Sequence, residues 1–356
     1  MKQRIQPLDG LRTLAAFGVI WIHIWGFYAN PSLKISVIDI YQLVAIAGNG
    51  VDFFFVISGF CMYLMIANKK FTINTYLKFI LKRLLRIAPA FYISVLVYAL
   101  IIKTTNPSFL FWYNVIFHFL FLNNIVTGNT ISGPFWSIGT EWHFYLLLPI
   151  FVLIANKYSL IKTVVSFSFI SLILFCVVNL GYLSYGWWES QILIRFPEFG
   201  AGIIAAYFFL KNQKMPFIFS GLKGLFLGLI IMYAGRFMKF TAFLVYVNNG
   251  AFLFKALADT IMTIGFSLIL YNVVTQVSIV SKFLSARIMT YLGRISFSIY
   301  LWHSLCIYLL NDWLRNLPFG NFNPLPGFLL VSLLTIGIAH FSYIFFESFY
   351  FKIQIK

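Results

Sequence analysis

Charge is scarce in this sequence. Of its 356 residues only 10% are charged and nine are acidic, while 61% are hydrophobic. Soluble domains carry about 25% charged and roughly 45–50% apolar residues. So few charges cannot cover so much apolar surface in water, which excludes a soluble globular domain. Cysteine is scarce too: Cys61, Cys176 and Cys306 fall inside apolar runs at unrelated spacings. They read as small buried hydrophobes, and neither a disulfide framework nor a metal site is indicated. There is no P-loop, no G-x-G-x-x-G after a strand, no HExxH, no paired CxxC and no G-x-S-x-G elbow. No internal repeat, soluble domain or low-complexity linker stands out. The basic N-terminus (Met1, Lys2, Arg4) leads into an apolar run without an A-x-A-like site, so it reads as an uncleaved first span.

What the chain does have is apolar length. Candidate segments cover 9–29, 41–67, 84–102, 109–122, 142–155, 160–180, 191–210, 217–235, 250–275, 291–310 and 326–347. A span needs roughly 20 residues to cross about 30 Å of hydrocarbon. The fold class is therefore an all-α polytopic transmembrane bundle in one membrane domain. The 43 phenylalanines fit a lipid-facing surface.

The net charge of +17 comes from Lys and Arg in short connections, where they set topology and do not form a nucleic-acid surface. If all eleven segments cross, Lys157, Lys162, Lys211 and Lys214 fall outside. Segment 109–122 is short enough to be re-entrant or interfacial. With that segment not crossing, about ten spans remain and both termini are cytoplasmic. Only Lys34, Lys103, Arg195, Arg236, Lys239, Lys255 and Arg315 then lie outside, against 19 of the 26 basic residues inside. The polar stretch 123–140, which includes Asn123, Thr127, Asn129 and Thr130, then faces outward as a lid or acceptor-binding loop.

Ionisable groups inside a membrane are costly, so they are the functional candidates. The first span carries Asp9, Arg12 and His23. Eleven residues separate Arg12 from His23, about three turns plus 20°, so they share a face about 16 Å apart along the axis. A snorkelling Arg and a hydrogen-bonded His would look the same. Asp52, in GVDFFFVISGF, sits fifteen residues from the inner end of its helix, and His23 sits fifteen from the inner end of its own. Antiparallel neighbours would hold both at one depth, where a carboxylate could orient the imidazole as a general base. Asp52 could equally be a first-turn acid favoured by the helix dipole. Arg83 and Arg86, in KRLLRIAP, share an i, i+3 face suited to phosphate, or they anchor topology.

GPFWSIGTEWHFYLLLP puts Glu141 at the mouth of a span among Trp136, Trp142 and Tyr145. These aromatics could form an interfacial belt or a sugar-stacking platform. His143 faces away from Glu141 and reads as packing. In GRISFSIYLWH, Ser296, Tyr300 and His303 share a helical face that reads as a hydrogen-bond seam before it reads as a catalytic one. His118 and His340 have no evident partner in the sequence.

LDGLRTLAAFGVIWIH, GVDFFFVISGF, KRLLRIAPAFY, FWSIGTEWHFYLLLP, RFPEFGAG and ISFSIYLWH follow one another between residues 8 and 303. In that order they resemble the integral membrane acyltransferase-3 family, which includes O-antigen and Nod-factor O-acetyltransferases. The resemblance implies acetyl-CoA as acyl donor, no metal, and a sugar hydroxyl on a cell-surface or lipid-linked glycan as acceptor. It also implies a multi-pass protein of the bacterial inner membrane, passing the acyl group outward. By position, His23 and Arg12 match the family's first-helix pair, and Arg83 and Arg86 its cytoplasmic arginine motif. Family members often carry a fused SGNH esterase-like domain; this chain ends at Lys356, so the expectation is a protein without one.

The expected mechanism docks CoA phosphates on Arg83 and Arg86, with the pantetheine arm along the Arg12 face. His23, with Asp52 to orient it, deprotonates the acceptor or carries the acyl group, and Glu141 holds the acceptor. A transporter or flippase for a lipid-linked sugar or small solute is the alternative. Inverted-repeat symmetry, which would favour a carrier, is not evident.

Overall fold

The computed structural model describes residues 4–36, 38–41, 44, 49–67, 72–126, 131–178, 188–211, 219–245, 252–317 and 323–351. Thr127, Asn129 and Thr130 of the polar stretch lie outside these, as do Lys2, Lys69, Lys70, Lys214, Lys352 and Lys356 of the inner basic set. The helices are α1 (Gln6–Phe27), α2 (Gly50–Ile66), α3 (Ile73–Thr105), α4 (Phe111–Phe119), α5 (Trp136–Lys157), α6 (Leu160–Val177) and α7 (Ile192–Leu210). They continue as α8 (Gly221–Val245), α9 (Phe252–Thr275), α10 (Ile279–Leu284), α11 (Arg287–Arg294), α12 (Ser296–Leu309), α13 (Asn311–Arg315) and α14 (Leu325–Ser342). A two-residue antiparallel ladder pairs β1 (Lys34–Ile35) with β2 (Ile38–Asp39).

Among the described residues, eight helical stretches are long and apolar enough to cross a membrane. They overlap the candidate segments beginning at 9, 84, 142, 160, 191, 217, 250 and 326. The other two candidates correspond to shorter helices: α2 has 17 residues and α12 has 14. Segment 291–310 is not one helix, because the chain breaks between α11 and α12 at buried Ile295, φ −92° and ψ 6°.

Segment 109–122 holds only the nine-residue α4, about 14 Å long and too short to cross. Its end is a Schellman motif: Leu122 N–H donates to the Phe117 carbonyl at 2.8 Å and Phe121 N–H to His118 at 3.0 Å. Phe121 takes the left-handed φ of 57° that glycine usually supplies. Stacking on Phe91, 5.4 Å between ring centroids, compensates for that strain.

The chain divides into two compact units. The first comprises residues 1–8, 52–77 and 140–286. Here α2 and α7 approach so closely that a Cβ on Gly59 would lie 2.1 Å from the Phe199 carbonyl oxygen, and one on Gly202 1.9 Å from that of Val56. Such backbone contact is how small residues hold membrane helices together without a hydrophobic drive. Phe199 stacks between Phe55 and Phe144 at 4.6 and 4.1 Å. By contrast α6 leaves Val165, Phe169, Ile170 and Ile173 exposed, the face a lipid-contacting helix needs.

The second unit comprises residues 9–51, 78–139 and 287–356. Gly293 of α11 meets Asp9 of α1, where an added Cβ would sit 2.0 Å from the Asp9 carbonyl oxygen. Thr13 donates to the Met289 carbonyl at 2.7 Å. Tyr98 ties α3 to α12, donating to Leu301 and accepting from the Leu305 amide. Ser298 of α12 donates to Ser342 of α14 at 2.9 Å.

Candidate active site

Four of the six sequence-derived site residues fall in the second unit: Arg12, His23, Arg83 and Arg86. His23 is exposed near the end of α1, and its Nδ1 lies 2.8 Å from the Val19 carbonyl oxygen four residues back. A carbonyl can only accept, so Nδ1 carries the proton and the neutral ring keeps its lone pair on Nε2. The helix thus fixes the tautomer that a carboxylate was expected to fix.

Beside His23 lies the ring of His303 from α12, 5.0 Å between centroids and tilted by 56°. His303 is fully buried. Its Nδ1 donates to the Tyr300 carbonyl at 2.7 Å, and the Ser304 hydroxyl stands 3.2 Å from Nε2. Both imidazoles are therefore set with Nε2 as the acceptor nitrogen. Tyr300 itself joins α12 to the start of α5 and the turn before it, bonding to Ser137 Oγ at 2.7 Å and to the Pro134 carbonyl at 2.5 Å. Of the anticipated Ser–Tyr–His seam, Tyr300 bonds to residues distant in sequence, while Ser296 donates three residues back to the Gly293 carbonyl of α11.

Arg12 pairs with Asp9 at 2.9 Å on the same helix. Arg83 is buried, with its guanidinium 5.7 Å from the centre of the Phe79 ring. Arg86 is half-buried, and its charge acts on buried Glu347. Three arginines and the accessible imidazole therefore share one compact unit.

Asp52 and Glu141 belong to the first unit. Asp52 is engaged there by Arg195 at 3.3 Å, and Arg195 also holds Glu198 at 3.1 Å and the Glu189 carbonyl at 2.8 Å. Lys255 binds both Glu189 oxygens, and Lys239 binds Asp259. Within the first unit Asp52 accepts from a guanidinium, and within the second His23 bonds to its own helix. The first-turn role also understates Asp52, which is buried in an ion-pair network. Arg195, Lys239 and Lys255, read from sequence as exceptions on the outside, each have a carboxylate partner.

Glu141 is half-buried at the start of the first-unit part of α5. Its Oε1 accepts from Ser58 at 2.7 Å and from the Tyr145 hydroxyl one turn on. Two hydroxyls therefore donate to one oxygen of this side chain. His143 is half-buried.

The remaining histidines do have partners. His118 donates from Nδ1 to Asn114 at 2.7 Å and accepts the Ile131 amide at 3.4 Å. Burial pushes its pKa down to about 4, so it stays neutral and structural. His340 Nδ1 bonds to the Tyr291 hydroxyl. Among the described residues no group of His, Cys, Asp and Glu is arranged to hold a metal ion.

The family described as "Acyltransferase domain" matches residues 5–344. The chain belongs to the acyltransferase-3 family. It is 25% identical to the peptidoglycan O-acetyltransferase OatA of Listeria monocytogenes over 341 residues, 85% of this chain and 49% of that protein. It is 26% identical to the O-acetyltransferase OatA of Staphylococcus aureus over 372 residues, 96% of this chain and 56% of that protein. ORF330 of Acidianus two-tailed virus is 26% identical over 318 residues, 86% of this chain and 84% of its own length. The chain spans about half the length of the two OatA relatives. No solved structure matches it. The family match supports an acyltransferase.

Proposed function

We propose that this protein moves an acetyl group from cytoplasmic acetyl-CoA to a hydroxyl of a cell-surface or lipid-linked carbohydrate. The observation that carries the reading is His23: accessible, with Nδ1 committed to Val19 and Nε2 left as a base or nucleophile. It shares one unit with Arg12, Arg83 and Arg86, the cations suited to the phosphates of CoA.

In this mechanism Nε2 takes the acceptor hydroxyl proton as the oxygen attacks the thioester carbonyl carbon. The C–S bond breaks, and the imidazolium returns the proton to the departing thiolate. A two-step version has Nε2 attack the thioester carbon and expel the CoA thiolate, giving an acyl-imidazolium; the acceptor oxygen then takes the acyl group, its proton goes to the thiolate, and the neutral imidazole is restored. Glu141, held by Ser58 and Tyr145, is a carboxylate suited to accepting hydrogen bonds from sugar hydroxyls. Mass spectrometry of surface polysaccharide tests the proposal. Cells expressing the protein should add one acetyl mass per modified residue, and cells lacking it should not. Unchanged glycan in both, with purified protein releasing no CoA from acetyl-CoA, would overturn the reading.

A further inference from the structure

The second unit holds a basic concavity that the acyl-transfer reading does not use. An open cavity of about 480 Å³ is lined by Arg287, Ile288, Thr290, Tyr291 and Arg294. All five come from α11, and Arg287, Thr290, Tyr291 and Arg294 follow i, i+3, i+4, i+7, one helical face. The two arginines stand two turns apart, about 10.5 Å along the axis.

The helix is fixed from behind. Gly293 lies against the Asp9 backbone, and Thr13 donates to Met289. Tyr291 is anchored by His340. Arg287 and Arg294 are exposed and have no carboxylate partner among the described residues. The acids of this chain are few, and most of those described are taken by other cations or hydroxyls. Two unneutralised guanidinium groups on one rigid face, converging on one cavity, form a receptor for an anion with several oxygens.

We propose that the α11 cavity binds a phosphate ester through Arg287 and Arg294. Guanidinium forks match phosphate oxygens bidentately, and their spacing lets each grip a separate phosphate group. Two sources share this chemistry: the headgroup of an anionic phospholipid, and a phosphorylated nucleotide such as CoA. The site follows from cavity and charge alone and stands whether or not His23 performs acyl transfer.

The test uses full-length protein in neutral detergent and reads binding without turnover. CoA and phosphatidylglycerol are titrated separately and followed by native mass spectrometry. Arg287→Gln and Arg294→Gln should each weaken one of the two probes by about tenfold or more, the loss expected for one charge-assisted contact. Arg→Lys variants should fall between, and Lys282→Gln, at an exposed lysine of α10 that does not line the cavity, should match wild type. A response of the CoA probe assigns a nucleotide site, and a response of the lipid probe assigns a headgroup site. If neither probe changes by more than about twofold, or Lys282→Gln weakens binding equally, the proposal is overturned. The loss on Arg287→Gln should persist in an Arg86→Ala background, which separates this site from donor docking on Arg83 and Arg86; a loss that vanishes there overturns the proposal.

Discussion

The imidazole of His23 stands beside that of His303, 5.0 Å from ring centre to ring centre, and each donates from Nδ1 to a carbonyl of its own helix. Buried His303 packs as a tilted wall against the accessible ring and limits how that ring can move. A displacement of about 1 Å in a reacting group can cost on the order of a hundredfold in rate. His303→Ala is therefore expected to lower kcat for acyl transfer about ten- to a hundredfold with little change in KM for acetyl-CoA. His303→Phe should recover most of that loss, because the wall returns without the nitrogens. Equal losses in both variants would mean that the nitrogens matter more than the ring shape.

Asp52 and Glu198 share the Arg195 guanidinium inside the first unit. Removing the cation would leave two buried carboxylates uncompensated, which costs about 3–5 kcal/mol for a broken buried pair. Arg195→Met should therefore sharply reduce folded protein, read as detergent-stable yield and unfolding temperature. Asp52→Asn should be milder, since Glu198 still balances the arginine. An Arg195→Met protein as stable as wild type would show that the network is dispensable for folding.

Much of the helical architecture was legible because apolar length and basic punctuation report spans directly. The shared face of Arg12 and His23 was legible for the same reason: spacing along one helix fixes angles. Which faces meet across the fold was not. Asp52 and Arg195 are 143 residues apart, and nothing in their local spacing says that α2 and α7 cross. That crossing is set by Gly59 and Gly202, whose backbones touch the other helix. His303 was visible as a polar face, but its place beside His23 depends on the break at Ile295. The Asp9–Arg12 pair is readable from its i, i+3 spacing. Glu141 was singled out by its place at the mouth of a span among aromatics, while its partner Ser58 came from another helix.

Arg83 and Arg86 offer the direct probe of donor docking. Losing one charge-assisted phosphate contact should cost roughly 1.5–3 kcal/mol, about ten- to a hundredfold in apparent affinity. Arg86→Ala should raise KM for acetyl-CoA by that factor and leave membrane insertion intact. Arg83→Ala should do the same but also lower stability, because the side chain is buried against Phe79. Lysine should rescue only partly, since it loses the planar fork. Wild-type KM in both alanine variants would reduce the pair to topology anchors.

Gly202→Ala tests the close crossing of α2 and α7. A methyl group 1.9 Å from the Val56 carbonyl oxygen forces the helices apart. Overpacking of this kind costs roughly 1–3 kcal/mol. A lower unfolding temperature is expected, together with a loss of activity that tracks folded protein. Unchanged stability would mean that the helices do not approach so closely.

His23→Gln is the most direct test of the central claim. Glutamine keeps much of the size and hydrogen-bonding capacity but cannot take a proton at neutral pH. Turnover of acetyl-CoA by purified protein should fall by about 10² to 10⁴, the loss typical of a positioned general base, while acetyl-CoA binding stays close to wild type. Full glycan acetylation by a well-expressed His23→Gln protein would contradict the account and move the chemistry away from this imidazole.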